Sequence, residues 1–180
     1  ELFADVPMQL TKYPRQGYTA LSALGAVGAP DEWGASDGVM SKGFYWHDDR
    51  LKTWSRDNDI WALGYWKYDW ATSMEQVDTF DPATGHIQMK PPYGVYGYRV
   101  GQRFSFYNIA EEIREPGDYI MDFARKRIYL CMPENAGAIR MTANDEPLFW
   151  VEESADITID HLHLGSTCGP AIEAAQAVRL

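Results

Sequence analysis

The densest group of side chains that could bind a ligand lies in residues 65–70, which read YWKYDW, and in residues 93–99. A pyranose ring has an apolar C–H face that stacks on aromatic rings, and aspartate and arginine side chains hydrogen-bond its hydroxyl groups. This combination favours binding of a polysaccharide or oligosaccharide. The predicted substrate-binding residues are Tyr65, Trp66, Asp69, Trp70, Tyr98 and Arg99.

The same aromatic segment also has a purely structural interpretation. Side chains alternate between the two sides of a β-strand, so Trp66, Tyr68 and Trp70 would share one side. Lys67 and Asp69 would lie on the other side. One side of such a strand must face the core. The alternative is therefore that the tryptophan row is core and that Lys67 and Asp69 face the solvent.

Two of the acidic residues could in principle form a catalytic pair for glycoside hydrolysis, which needs two carboxyl groups about 5–10 Å apart. The chain has 26 aspartate and glutamate residues, so coincidental pairs are expected. Neighbouring acids such as Glu152 and Glu153 cannot both face one substrate, because successive strand residues point to opposite faces. We therefore predict no catalytic residue in this chain.

Cysteine and histidine are too scattered to indicate a metal centre. The chain has 2 Cys and 4 His without zinc-site spacing, and it has no EF-hand pattern. His161 and His163 would share a strand face, which suits a metal, but exposure to solvent is the favoured alternative. Cys131 and Cys168 could form a disulfide or be two small buried side chains. We predict no metal and no cofactor.

The overall charge excludes several classes of partner. The formal net charge is -10 and the pI is about 4.8. Such a surface is repelled by phosphate backbones, so we expect no nucleic acid partner. Anionic membrane surfaces are disfavoured for the same reason, and no apolar run approaches the roughly 18–20 residues of a membrane helix. Neutral sugars remain compatible, and a local basic patch could still hold an anionic sugar.

The pattern of the chain predicts an all-β fold. Residues 60–66 are rich in aromatic and β-branched side chains, which favour strands. Residues 73–80 and 86–89 flank the turn sequence DPATG and predict a hairpin. Residues 118–122 and 126–131 predict a second hairpin. Only residues 109–113 read as helical, over one or two turns.

The last third of the chain changes character, with very short strand-like segments, among them residues 157–159 and 162–164, separated by small and polar residues. Residues 155–159 recur loosely at 175–180, an offset of roughly 21 residues, which is the length of one coil in a parallel β-helix. One coil cannot bury its own inward face, so neighbouring coils must stack on it. We therefore expect the natural chain to begin before Glu1 and to continue past Leu180.

Several short motifs follow one another in a definite order: MQLTKYP at 8–14, WALGYWKYDW at 61–70, DPATG at 81–85, GYRVGQRF at 97–104, EE at 111–112 before PGDY at 116–119, RIYL at 127–130 and ITIDHL at 157–162. Their order and spacing resemble the N-terminal part of bacterial right-handed parallel β-helix proteins of the glycoside hydrolase family 141-like group. The chain departs from that pattern at residues 5–7 and 122–127, which changes the turn geometry.

The resemblance implies a barrel-like, β-rich insertion domain at residues 1–147 and the first coil or coils of a truncated parallel β-helix at residues 148–180. It also implies that the parent is a secreted or periplasmic bacterial carbohydrate-active enzyme, a glycoside hydrolase whose catalytic carboxylates lie on later coils. In that case this region lines or caps the substrate groove. The alternatives are a non-catalytic glycan-binding module and a structural cap on the solenoid.

Overall fold

The computed structural model of the chain describes residues 2–3, 7–30, 34, 36–55, 59–134, 136–165 and 167–179. Within these ranges there is no α-helix, and the only helical segments are three short 3₁₀ helices. The prediction of an all-β fold is therefore confirmed. The 3₁₀ helices are Met40–Lys42, Asp49–Thr53 and Ala110–Glu112.

Most of the strands are short, and the described residues contain fifteen of them. They are β1 (Leu2–Phe3), β2 (Gln9–Leu10), β3 (Lys12–Tyr13), β4 (Thr19–Ala20), β5 (Ala23–Leu24), β6 (Phe44–Tyr45), β7 (Trp61–Gly64), β8 (Ser73–Asp81), β9 (His86–Met89), β10 (Arg103–Tyr107), β11 (Asp118–Asp122), β12 (Arg127–Leu130), β13 (Arg140–Met141), β14 (Phe149–Glu152) and β15 (Ile172–Ala175).

The chain divides into two compact units. The larger unit is Leu10–Cys131, and the smaller one combines Glu1–Gln9 with Met132–Leu180. The predicted domain division between residues 147 and 148 stays a prediction.

The larger unit is built on a sheet of eight antiparallel strands whose order is β3-β10-β7-β8-β9-β6-β5. The remaining strand, β4, also pairs with β10. β4 pairs with β10 near one end of this order, and β5 pairs with β6 near the other end. Because β4 and β5 follow each other in the chain, they connect the two ends. Between them, Leu21 N donates to Gln102 O and Ser22 N donates to Tyr45 O. The ladder of hydrogen bonds therefore runs round a closed ring of strands.

Aromatic side chains fill the interior of this unit. Phe44 is fully buried, and its ring centroid lies 5.1 Å from that of Tyr98 and 5.2 Å from that of Phe104. Trp46 stacks on Trp54 at 5.5 Å. Buried aromatic side chains remove large areas from water, so they dominate the stability of a core. Aromatic residues make up 14% of the chain, and much of this content is thus accounted for by packing.

Both predicted hairpins are confirmed. β8 and β9 pair antiparallel, with Asp81 opposite His86, and Gly85 takes the positive φ of 77° that the turn requires. β11 pairs antiparallel with β12, and β2 completes this three-stranded sheet. The helical segment expected at residues 109–113 forms only the 3₁₀ helix Ala110–Glu112.

The smaller unit contains a pair of parallel strands. β14 and β15 are parallel, with Phe149 opposite Ile172, and an isolated parallel bridge joins Ala155 to Val178. Both pairings have the same offset of 23 residues. β1 and β13 form a separate antiparallel pair. The chain therefore returns alongside itself in the same direction, slightly later than the predicted 21 residues.

Residues 157–159 and 162–164 do not form the strands expected from the sequence. Glu153, Asp156 and His161 all have positive φ, between 46° and 58°, and a strand cannot continue through that conformation. His161 and His163 consequently do not share a strand face. The turn residues Asp5 and Val6 and the terminal Leu180 lie outside the described residues.

Candidate functional site

The predicted sugar-binding segment begins where strand β7 ends. A Cβ atom placed on Gly64 would lie 2.4 Å from Cε2 of Trp66, so the indole ring packs directly over this glycine. The ring is buried in the core, and its Nε1 donates to Ser73 Oγ at 3.0 Å. The chain therefore leaves the sheet after Gly64, and residues 65–70 form a loop. The strand predicted through these residues, with its regular alternation, is wrong.

Three aromatic side chains outside the core form the feature that we call the aromatic platform: Tyr68, Trp70 and Tyr96. Trp70 is 72% exposed and stacks on Tyr68 with ring centroids 5.2 Å apart and planes 12° from parallel. The Tyr96 ring meets both of them edge to face, at 5.2 and 5.4 Å. The platform thus combines an open indole face with two supporting phenol rings.

Basic side chains hold the platform in place. Lys67 Nζ lies 4.8 Å from the Tyr68 ring centroid and the Arg99 guanidinium lies 5.7 Å from it, both within the range of cation–π attraction. Lys67 also forms an ion pair with Asp37, whose hydrogen bond raises the pKa of the lysine, and a hydrogen bond with Tyr68 adds to this effect. Tyr68 is therefore fixed by charges as well as by stacking.

Two surface pockets are lined by the residues on either side of Trp70 in the chain. The first, which we call the serine pocket, has a volume of about 150 Å³; the second, the arginine pocket, has about 390 Å³. The serine pocket is lined by Trp66, Lys67, Ala71, Thr72, Ser73, Gly94, Val95 and Tyr96. The arginine pocket is lined by Asp69, Arg99, Val100, Gly101, Gln102 and Arg103.

A buried carboxyl group supports the serine pocket. Glu75 Oε1 accepts hydrogen bonds from Ser73 Oγ at 2.9 Å and from Gly94 N at 3.1 Å. Burial raises the pKa of Glu75, since the two hydrogen bonds only partly offset desolvation of the charge. Burial also raises the pKa of the Tyr98 hydroxyl, and the nearby Glu75 charge adds to this. Neither Glu75 Oε2 nor the Tyr98 hydroxyl has a hydrogen-bond partner among the described residues.

The six predicted binding residues divide into two groups. Trp66 and Tyr98 lie in the core, with 3% and 0% of their surface exposed, so neither ring presents a face on which a sugar could stack. The other four, Tyr65, Asp69, Trp70 and Arg99, are at least partly accessible. Their assignment to a binding site stays a prediction.

The candidate segments 65–70 and 93–99 contain Tyr68 and Tyr96, although neither is among the six predicted binding residues, and Arg103 lies outside those segments. Arg103 lies 3.9 Å from the Tyr65 ring centroid and forms an ion pair with Asp69. The motif GYRVGQRF could have indicated this position of Arg103, because it contains a glycine that permits a turn. Gly101 has a φ of 83° and turns the chain back towards residues 65–69.

In the described part of the chain, no group of three or more His, Cys, Asp or Glu side chains is placed to hold a metal ion. Neither Cys131 nor Cys168 is in a disulfide bond. Over the same residues, no helix has the length and apolar character needed to cross a membrane.

Comparison with known proteins yields no relative: no family model, no curated protein and no solved structure matches the chain.

Proposed function

We propose that the larger unit binds a glycan on the aromatic platform. The observation that carries this proposal is the exposure of Trp70, which is held against Tyr68 and Tyr96 rather than buried. A fixed, exposed tryptophan leaves a large apolar surface in water, and a contiguous patch of exposed aromatic surface can mark a binding site. Its flat indole face suits the apolar C–H face of a sugar ring.

The surroundings of Trp70 supply polar partners for the sugar. Thr72 and Ser73, which follow Trp70 in the chain, line the serine pocket, and Asp69, which precedes it, lines the arginine pocket together with Arg99. Hydroxyl, carboxylate and guanidinium groups together offer donors and acceptors to sugar hydroxyls. A stacked ring flanked by such groups matches the general design of ligand sites, in which an apolar surface carries a few polar contacts.

The proposal extends to the parent protein. The parallel pairing of β14 with β15, repeated at Ala155 and Val178 with the same 23-residue offset, supports the start of a right-handed parallel β-helix in the smaller unit. Together with the sequence resemblance, it supports a secreted or periplasmic carbohydrate-active enzyme, a glycoside hydrolase. Its carboxylates would lie on later coils, and the larger unit would line or cap the substrate groove.

The test is the retardation of the protein in native gels that contain neutral and acidic polysaccharides, comparing wild type with Trp70→Ala. We expect Trp70→Ala to weaken binding at least about tenfold, which corresponds to about 1.4 kcal/mol. Trp150→Ala is the matched control, since Trp150 is 56% exposed and lies in the smaller unit.

Two results would contradict the proposal. Wild-type protein could bind none of the polysaccharides, which would favour the purely structural cap. Alternatively, Trp70→Ala and Trp150→Ala could bind as well as wild type, which would place any binding surface elsewhere. Circular dichroism of each variant checks that the fold is kept, so that lost binding is not mistaken for lost structure.

A further inference from the structure

The arginine pocket is tied to the loop that carries Trp70. Arg99 N donates to Trp66 O at 2.8 Å, and Tyr65 N donates to Arg103 O at 3.0 Å. The Gln102 side chain donates to Lys67 O at 2.6 Å. Residues 99–103 and residues 65–67 are therefore joined at three points, so the arginines keep a fixed position relative to the platform.

The local charge of this surface is opposite in sign to that of the chain. Three cations, Lys67, Arg99 and Arg103, face two anions, Asp37 and Asp69, while the whole chain carries a net charge of -10. A locally positive site can attract an anionic group that the rest of a strongly acidic surface repels.

Arg99 is the least neutralised of these cations. Its ion pair with Asp37 is long, at 3.8 Å, and the same aspartate is held more closely by Lys67. Its side chain is 49% exposed and lines the arginine pocket. A guanidinium presents several N–H donors in one plane, which suits an oxyanion bound through two hydrogen bonds.

We propose that the glycan bound at the platform is anionic, with a carboxylate or sulfate group held by Arg99. This inference rests on the proposed function, because it needs a sugar stacked on Trp70. Trp70 and Arg99 both contact Tyr68, at 5.2 and 5.7 Å from its ring centroid. In this arrangement the charged substituent that reaches the guanidinium belongs either to the sugar unit stacked on the indole or to the next unit along the glycan.

The test compares three polymers with one backbone: dextran, carboxymethyl-dextran and dextran sulfate, each cast into native gels. Wild type should be retarded at least about fivefold more by one charged polymer than by dextran. Preference for carboxymethyl-dextran identifies the carboxylate as the group bound, and preference for dextran sulfate identifies the sulfate. Equal retardation by all three polymers overturns the inference.

Variants separate this inference from the proposed function. Arg99→Ala should remove the preference for the charged polymer, whereas Arg127→Ala, which changes the net charge equally on an exposed strand, should keep it. Asp69→Asn should strengthen the preference, because it frees Arg103 from its ion pair.

The pattern of losses decides between the two claims. If Trp70→Ala lowers retardation by every polymer while Arg99→Ala changes nothing, the glycan site stands and the anionic specificity fails. If Arg99→Ala lowers retardation but Trp70→Ala does not, charge alone attracts the polymers, and both the platform and this inference fail. If Arg127→Ala matches Arg99→Ala, the effect belongs to net charge, and the inference also fails.

Discussion

Arg50 Nε donates a hydrogen bond to Glu112 Oε1 over 2.6 Å and so joins two 3₁₀ helices that lie far apart in the sequence. Trp54 Nε1 donates to the same oxygen at 3.0 Å, and Arg114 lies 3.2 Å from the other carboxylate oxygen. Glu112 is buried. The Glu112 carboxylate is thus fully occupied in holding the larger unit together.

Glu112→Gln should destabilise the protein by about 2–4 kcal/mol, because a buried charged network loses its anion and leaves two arginines opposed by a neutral amide. Urea denaturation followed by Trp fluorescence measures the change. Asp78→Asn, on an exposed position of β8, is the control and should change stability by less than about 0.5 kcal/mol. Equal losses for the two variants would show that the network contributes nothing specific.

Glu75→Gln should change how stability depends on pH. Burial raises the pKa of Glu75 in the folded state, so between the unfolded and folded pKa values the folded protein binds more protons. Stability is therefore greatest below the unfolded pKa and falls as the pH rises through the folded pKa. The glutamine does not titrate, so the variant should gain most over wild type at pH 8 and least at pH 4.

Thermal midpoints of both proteins across this pH range measure the effect. Ser73 and Gly94 can still donate to the amide oxygen, so the variant keeps both hydrogen bonds of Oε1. The prediction fails if the difference in thermal midpoint stays constant from pH 4 to pH 8, or if it favours wild type more at pH 8. Either result would mean that titration of Glu75 does not lower the stability of wild type at high pH.

Gly64→Ala should damage both the core and the platform. The added methyl group would overlap the Trp66 ring, which cannot move without disturbing Phe44 and Phe104. We expect a loss of about 1–3 kcal/mol, typical of overpacked cores, together with weaker glycan retardation. Gly137→Ala is the control, because a Cβ there meets nothing within 4 Å. A Gly64→Ala protein as stable as the control would contradict the packing described here.

Local sequence signals predicted the hairpins, whereas packing between distant residues decided the platform. The turn at residues 81–85 is specified by its own residues, since the Asp81 side chain accepts a hydrogen bond from Ala83 N and Gly85 adopts a positive φ. Nothing local shows that Trp66 folds back over Gly64, which depends on core space supplied by β6 and β10. The prediction from strand alternation therefore placed Trp66 and Trp70 on the same side, although Trp66 is buried and Trp70 is exposed.

The parallel pairing could be anticipated only approximately. The loose recurrence of residues 155–159 at residues 175–180 predicted a repeat near 21 residues, and the observed pairing offset is 23 residues. The strands lie at residues 149–152 and 172–175, before the recurring motifs, and within those motifs Ala155 also pairs with a residue 23 positions later, Val178. Left-handed residues such as Asp156 interrupt those motifs, and their sequence does not reveal that conformation.

The anchoring of residues 65–67 to residues 99–103 has a consequence for recognition. A ligand that meets a surface already in its bound arrangement loses less conformational entropy than one that must order a mobile loop. Differences in affinity between related sugars should then arise mainly from how fast each complex dissociates, while the encounter rates stay similar.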